Sequence, residues 1–230
     1  MEAVVFDGSS LNLYYQKDYP LPKLENDDDV IVKVHYSGIC GTDLHIIQGE
    51  FPAIKTRPIP LGHESSGVIH QGNYQYCLTA GINSTIGIWK DGGWAQYVRV
   101  PQSQVFALPE GITTEQAGLC EPYSCVSHGF DRASPLKVGD KILILGAGII
   151  GNLWITTLHH HGHREVTVSE MNPTRLDIVK RLGKKTPMNI KLSKVILTLI
   201  KTMILTLIKT MTLTLIKTMI LALTLTLNLA

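Results

Sequence analysis

The eight residues Gly38-Ile39-Cys40-Gly41-Thr42-Asp43-Leu44-His45 carry a thiol, a hydroxyl, a carboxylate and an imidazole. Two further segments, Gly62-His63-Glu64 and Cys120-Glu121-Pro122, add more donors of the kind that hold zinc. A catalytic zinc takes about three protein ligands and keeps one position open for water or substrate, which it polarises. Cys40 as thiolate, His63 as imidazole and Glu121 as carboxylate make such a set, with Glu64 as an additional or alternating ligand. Cys120 is the fallback if Glu121 points away. Asp43 suits a place behind a ligand imidazole, where a carboxylate takes the free N–H and fixes the tautomer; taken alone it would be a helix N-cap. Thr42 and His45 suit a proton path, in which a hydroxyl hands the substrate proton to an imidazole that exchanges it with solvent.

A second chemistry lies downstream. The apolar run Lys141-Ile142-Leu143-Ile144-Leu145 reads as a strand buried on both faces of a parallel sheet. It runs straight into Gly146-Ala147-Gly148-Ile149-Ile150-Gly151, and a helix from Asn152 to His161 ends at Gly162. A second strand, Glu165 to Glu170, and a helix from Pro173 to Leu182 complete a βαβ unit. In this setting Gly146 makes the tight turn, Gly148 lets backbone approach a pyrophosphate at the helix N-terminus, and Gly151 permits close helix-to-strand packing. Glu170, nineteen residues beyond Gly151, would accept from ribose hydroxyls and repel a 2′-phosphate, which favours NAD over NADP. Arg175 nearby would weaken that preference.

The elements before this unit are short strands and turns. Ala3–Phe6 and Val30–Val34 are β-rich, and the acid run between Glu25 and Asp29 reads as a solvated turn. Ser65-Ser66-Gly67 leads into Val68-Ile69, and Gly92-Gly93-Trp94-Ala95-Gln96-Tyr97-Val98-Arg99-Val100 is a glycine turn feeding a strand. After Lys191 the chain becomes a repeat of period eight, such as Met203-Ile-Leu-Thr-Leu-Ile-Lys-Thr210. Its lysines share one side of a strand but no face of a helix, so it suits β-structure and is prone to aggregate. Those lysines also interrupt any run long enough to span a membrane. The expected division is a catalytic domain over 1–120, a partial dinucleotide-binding domain over 121–190 and the repeat over 191–230.

Composition excludes other classes. The net charge of +2 depends on residues 191–230, which hold five lysines and no acid; the remainder has 16 basic against 19 acidic residues, so no nucleic-acid partner is expected. The N-terminus lacks a basic segment followed by an apolar run, which places the protein in the cytoplasm. Four cysteines in that setting are metal ligands or thiols rather than a disulfide framework, with Cys120 and Cys125 expected to be buried. His159, His160, His161 and His163 fall at a helix end, where imidazoles interact with the C-terminal dipole.

Taken together, the Cys40 segment, Gly62-His63-Glu64, the Gly92-Gly93-Trp94 turn, Glu121-Pro122 and the glycine loop resemble the medium-chain zinc-dependent alcohol dehydrogenase family, and within it the sorbitol and threonine dehydrogenase branch. The resemblance covers about residues 1–185. It implies an α/β protein with a GroES-like β-barrel catalytic domain and an incomplete Rossmann domain. It further implies a catalytic zinc, NAD, a small-molecule alcohol or polyol substrate and a homo-oligomer. The chain departs from the family twice. Between Ile69 and Cys77 only one of the four cysteines of a structural-zinc lobe is present, and beyond Gly183 the repeat replaces the remaining Rossmann strands. The expected activity is therefore hydride transfer from a polyol or secondary alcohol to NAD, impaired in this chain; the alternative is a non-catalytic zinc-binding or interaction protein.

Overall fold

The structure, a computed structural model, describes residues 1–50, 57–72, 85–185 and 191–193. Cys77 and the repeat from residue 194 onward lie outside them. The chain forms two compact units, Met1–Glu121 and Pro122–Ala230.

In the first unit, β1 (Ala3–Asp7) lies between β2 (Asn12–Gln16) and β4 (Ile59–Pro60), antiparallel to both. A second antiparallel sheet has β3 (Asp29–Ser37) between β5 (Ser65–Gln71) and β6 (Tyr97–Pro101). The expected break at Ser65-Ser66-Gly67 is already strand, because Ser65 and Gly67 pair with Ser37 and Val34. After β3 the chain turns into α1 (Gly41–Ile47), and a one-turn helix, α2 (Thr114–Ala117), follows β6. This helix is anchored by Ile46, which is buried with Phe6, Ile59 and Leu61, so the first strand, α1 and the segment entering β5 share one apolar cluster. Each such side chain contributes about 1.5–3 kcal/mol on burial. Val30, Val98 and Val100 form a second cluster between β3 and β6.

The acid run before β3 is not uniformly solvated. Asp29 is 5% exposed, and one carboxylate oxygen accepts the backbone N–H groups of Glu25 and Asn26 at 2.9 and 3.0 Å. Burial works against its charge, but these N–H groups and Arg99 outweigh it and hold the carboxyl below its ordinary value.

In the second unit, β7 (Ile142–Leu145), β8 (Val166–Ser169) and β9 (Lys191–Ser193) form a parallel sheet in that order. The helices α4 (Ile149–His160) and α5 (Pro173–Lys185) connect them. A third strand therefore stands where the sequence pattern indicated two. Ile144, Val166 and Val168 pack with Ile155 and Leu158 of α4, Val179 of α5 and Phe130 of α3 (Cys120–Ala133). β7 is not buried on both faces as its apolar run implied: Leu143 is 42% exposed, and among the described residues only β8 pairs with it. Cys120 and Cys125 are exposed rather than buried, because α3 buries the stripe Pro122, Val126 and Phe130 at spacings of four, and neither cysteine lies on it.

Asp29→Asn should cost about 1–3 kcal/mol at neutral pH, since it weakens acceptance of two backbone N–H groups in a buried turn. The folded carboxyl sits below its ordinary value, so its contribution is complete above that ordinary value and is lost as pH falls through the lower folded one. Chemical denaturation of both proteins across pH checks this: the two stabilities should differ at pH 7 and converge at the acid end.

Candidate metal centre and dinucleotide loop

Cys40 is the N-cap of α1, and His63 and Glu64 lie in the turn between β4 and β5. The sulfur, an imidazole nitrogen and a carboxylate oxygen of these three residues all lie within 4.8 Å of one another. Donors sharing one zinc at about 2.0–2.3 Å are separated by distances of this order. Thiolate, imidazole and carboxylate are also the donor types zinc selects, so the residues present fit the ion.

The charges agree with that fit. His63 draws the Cys40 thiol below its ordinary value, against the opposing effect of burial, and Thr42 acts in the same direction. Burial would discharge His63, but Asp43 and Cys40 outweigh it and raise the imidazole to about 10. Burial pushes Glu64 upward, and the charge of Glu121 adds to the rise. The sulfur and carboxylates thus leave an excess of negative charge that a divalent cation would neutralise.

Asp43 sits at the third position of α1 rather than at its N-cap and has no exposure. Its Oδ2 accepts the Cys40 N–H at 2.8 Å, while its Oδ1 faces His63 Nδ1 at 3.5 Å. Among the described residues neither Oδ1 nor Nδ1 has a hydrogen-bond partner, so they interact as charges. This arrangement turns Nδ1 towards the carboxylate and leaves Nε2 as the nitrogen available to a metal. Thr42 Oγ1 is 3.7 Å from Cys40 Sγ, and His45 Nδ1 pairs with the Glu50 carboxylate at the surface. Glu121 is outside the converging group: the third donor brought to Cys40 and His63 is Glu64, adjacent to His63 in the same turn, rather than Glu121. Exposed Cys120 is outside it as well, and among the described residues the histidines of 159–163 form no such group.

Trp94 had no role in the sequence reading. Its indole Nε1 donates to the Gly38 carbonyl at 3.0 Å, and its ring lies so close to Gly62 that a Cβ there would stand 2.3 Å from Trp94 Cδ1. Backbone bonds from Gly92, Gly93 and Trp94 to Pro60, Gly62 and Leu61 hold the other side of the turn. An aromatic residue immediately after paired glycines was the available sequence signal for such a brace.

In the second unit Gly146 has φ +91° and donates to the Ser169 carbonyl at 2.8 Å. A Cβ on Gly151 would stand 2.2 Å from the Gly146 carbonyl oxygen, so only glycine lets α4 start this close to the loop. Gly148 is the N-cap of α4 with open space around it. Asn152, also without a role in the sequence reading, donates to the carbonyls of Ala147 and Gly148. Glu170 follows β8 and accepts from the N–H groups of Ala147, Met171 and Asn172 at 2.7–2.8 Å. Burial disfavours its charge, yet these groups hold it below its ordinary value. Arg175 Nη1 lies 3.8 Å from its Oε2.

Residues 26–73 match the alcohol dehydrogenase GroES-like domain. The chain is 29% identical over 213 residues to the L-threonine 3-dehydrogenase of Legionella pneumophila (strain Corby), covering 79% of this chain and 61% of that protein. It is similar to the crystal structure of galactitol-1-phosphate dehydrogenase from Escherichia coli, with a TM-score of 0.69 and 28% identity over 84% of this chain and 61% of that one. A zinc-binding dehydrogenase from Sinorhizobium meliloti 1021 bound to NADP gives 0.66 and 31%, over 83% and 60%. The chain spans about three fifths of the length of these relatives. Its fold is α/β, a GroES-like domain followed by a Rossmann-type unit.

Asp43→Asn should weaken zinc binding about 10- to 100-fold, as loss of a carboxylate behind a ligand imidazole does elsewhere. Competition titration against a chelating dye measures it; unchanged affinity would remove Asp43 from the site.

Proposed function

Starting from a chain that belongs to the medium-chain zinc-dependent alcohol dehydrogenase family, we propose that it is a zinc- and NAD-dependent oxidoreductase acting on a polyol or secondary alcohol, with turnover below that of its full-length relatives. The observation that carries this reading is the convergence of Cys40, His63 and Glu64 on one another with Asp43 behind them. These three residues would hold the zinc, and Glu121 is close enough to act on Glu64 by charge. A zinc bound there would polarise the substrate oxygen and lower the pKa of its hydroxyl.

The chain's own residues do the rest. Asp43 keeps the His63 ring in one tautomer. Thr42 accepts the hydroxyl proton, His45 receives it and passes it to solvent, and the Glu50 carboxylate steadies the imidazolium. A bound nicotinamide would supply the hydride acceptor for oxidation of the alcohol. Gly146, Gly148 and Gly151 would hold its pyrophosphate, and Glu170 would disfavour a 2′-phosphate. The motive for lower turnover is the sequence after Lys191, a period-eight repeat in place of the alternating strand and helix pattern of a second Rossmann half. A zinc-binding protein without turnover is the second reading, favoured by the same repeat.

The purified chain, assayed with zinc and NAD against a panel of polyols and secondary alcohols, tests this. One zinc per chain, slow NADH formation abolished by chelator, and a preference for NAD over NADP of about tenfold or more are expected. Robust turnover would overturn the impairment, zinc binding without any NADH would favour the second reading, and absence of zinc would overturn both.

A further inference from the structure

The two segments that carry the metal donors meet at Gly38. Its N–H donates to the Glu64 carbonyl at 2.9 Å, and its own carbonyl accepts from Trp94 Nε1 at 3.0 Å. Gly38 is therefore held from both sides and cannot retreat from Glu64. Its φ is not in the positive region, so the backbone there would accept any residue, and the glycine needs another explanation. The space supplies one. A Cβ on Gly38 would stand 2.0 Å from Glu64 Oε2, and 3.1 Å from Glu64 Cβ and Cδ. The carboxylate that completes the donor group occupies the place a side chain at 38 would take.

We propose that Gly38 is a positioning residue for the metal centre: by having no side chain, it leaves the pocket into which the Glu64 carboxylate folds to join Cys40 and His63. This rests on the zinc reading above. The severe conflict, with Oε2, is at the far end of a flexible side chain, while the 3.1 Å contact with Glu64 Cβ asks the turn itself to give slightly. A methyl at 38 is accommodated by swinging the Glu64 carboxylate out with a small shift of the turn, at a small cost to the fold and a large cost to the donor set. Gly38 thus decides whether the site has three donors or two.

The full-length chain is tested as wild type, G38A, E64A and G38A/E64A. Cobalt(II) affinity is measured by chelator competition, the cobalt ligand-field spectrum is recorded, and each metal-free protein is melted. Expected are a G38A melt matching wild type, cobalt affinity about 10- to 100-fold lower, and a spectrum shifted as in E64A. The same glycine substitution should have less than about a twofold effect once Glu64 is already alanine, because contacting residues are non-additive. Wild-type affinity in G38A overturns the proposal. So does an equal loss in the E64A background, or a lowered melt that accounts for the loss. If wild type itself binds no cobalt or zinc, the zinc reading falls and takes this role with it, a result distinct from a wild type that binds and a G38A that binds equally.

Discussion

The first unit is organised around a carboxylate with no access to water. Asp43 is an acid in an interior that tolerates charge only when it is matched, and both of its oxygens are committed. One oxygen takes the backbone N–H of Cys40 and the other faces the imidazole of His63. The start of α1 and the turn after β4 are thereby joined through a single buried charge. The same charge raises the His63 imidazole, against the effect of burial, and takes up its Nδ1.

Around that charge the chain builds a rigid frame rather than a flexible pocket. Ile46, one turn along α1 from Asp43, is buried with Phe6, Ile59 and Leu61. Gly92, Gly93 and Trp94 bond to the backbone of residues 60–62, and Trp94 reaches across to Gly38. Donor segments more than twenty residues apart in sequence are held as neighbours by a third segment thirty residues further on. The dinucleotide loop of the second unit needs no such help. Its turn, helix start and Asn152 bridge are contiguous, and its distant partners, Ser169 and Glu170, lie together at the end of the adjacent strand.

This difference explains what could be read without coordinates. The strand, glycine loop and helix over 142–160 are local, with each role set by spacing along the chain. Cys40 and His63 stood out only as members of a set, a thiol, an imidazole and carboxylates arriving from separate segments. The choice of carboxylate was not legible. Glu64 and Glu121 are equally good donors by chemistry, and only the path of the turn after β4 brings Glu64 to the sulfur. The burial of Asp29, the exposure of Cys120 and Cys125, and the third parallel strand were missed because each depends on which face of an element meets a distant one.

The sequence by itself determined the chemistry available: a thiolate, an imidazole and carboxylates suited to zinc, a hydroxyl and an imidazole suited to moving a proton, and a glycine loop suited to a pyrophosphate. Tertiary structure alone decided which carboxylate stands with Cys40 and His63, that Asp43 is buried between two donor segments, and that a side chain at 38 would meet Glu64. Those answers depend on burial and on contacts between segments, and both arise only when stretches far apart in the chain are packed together.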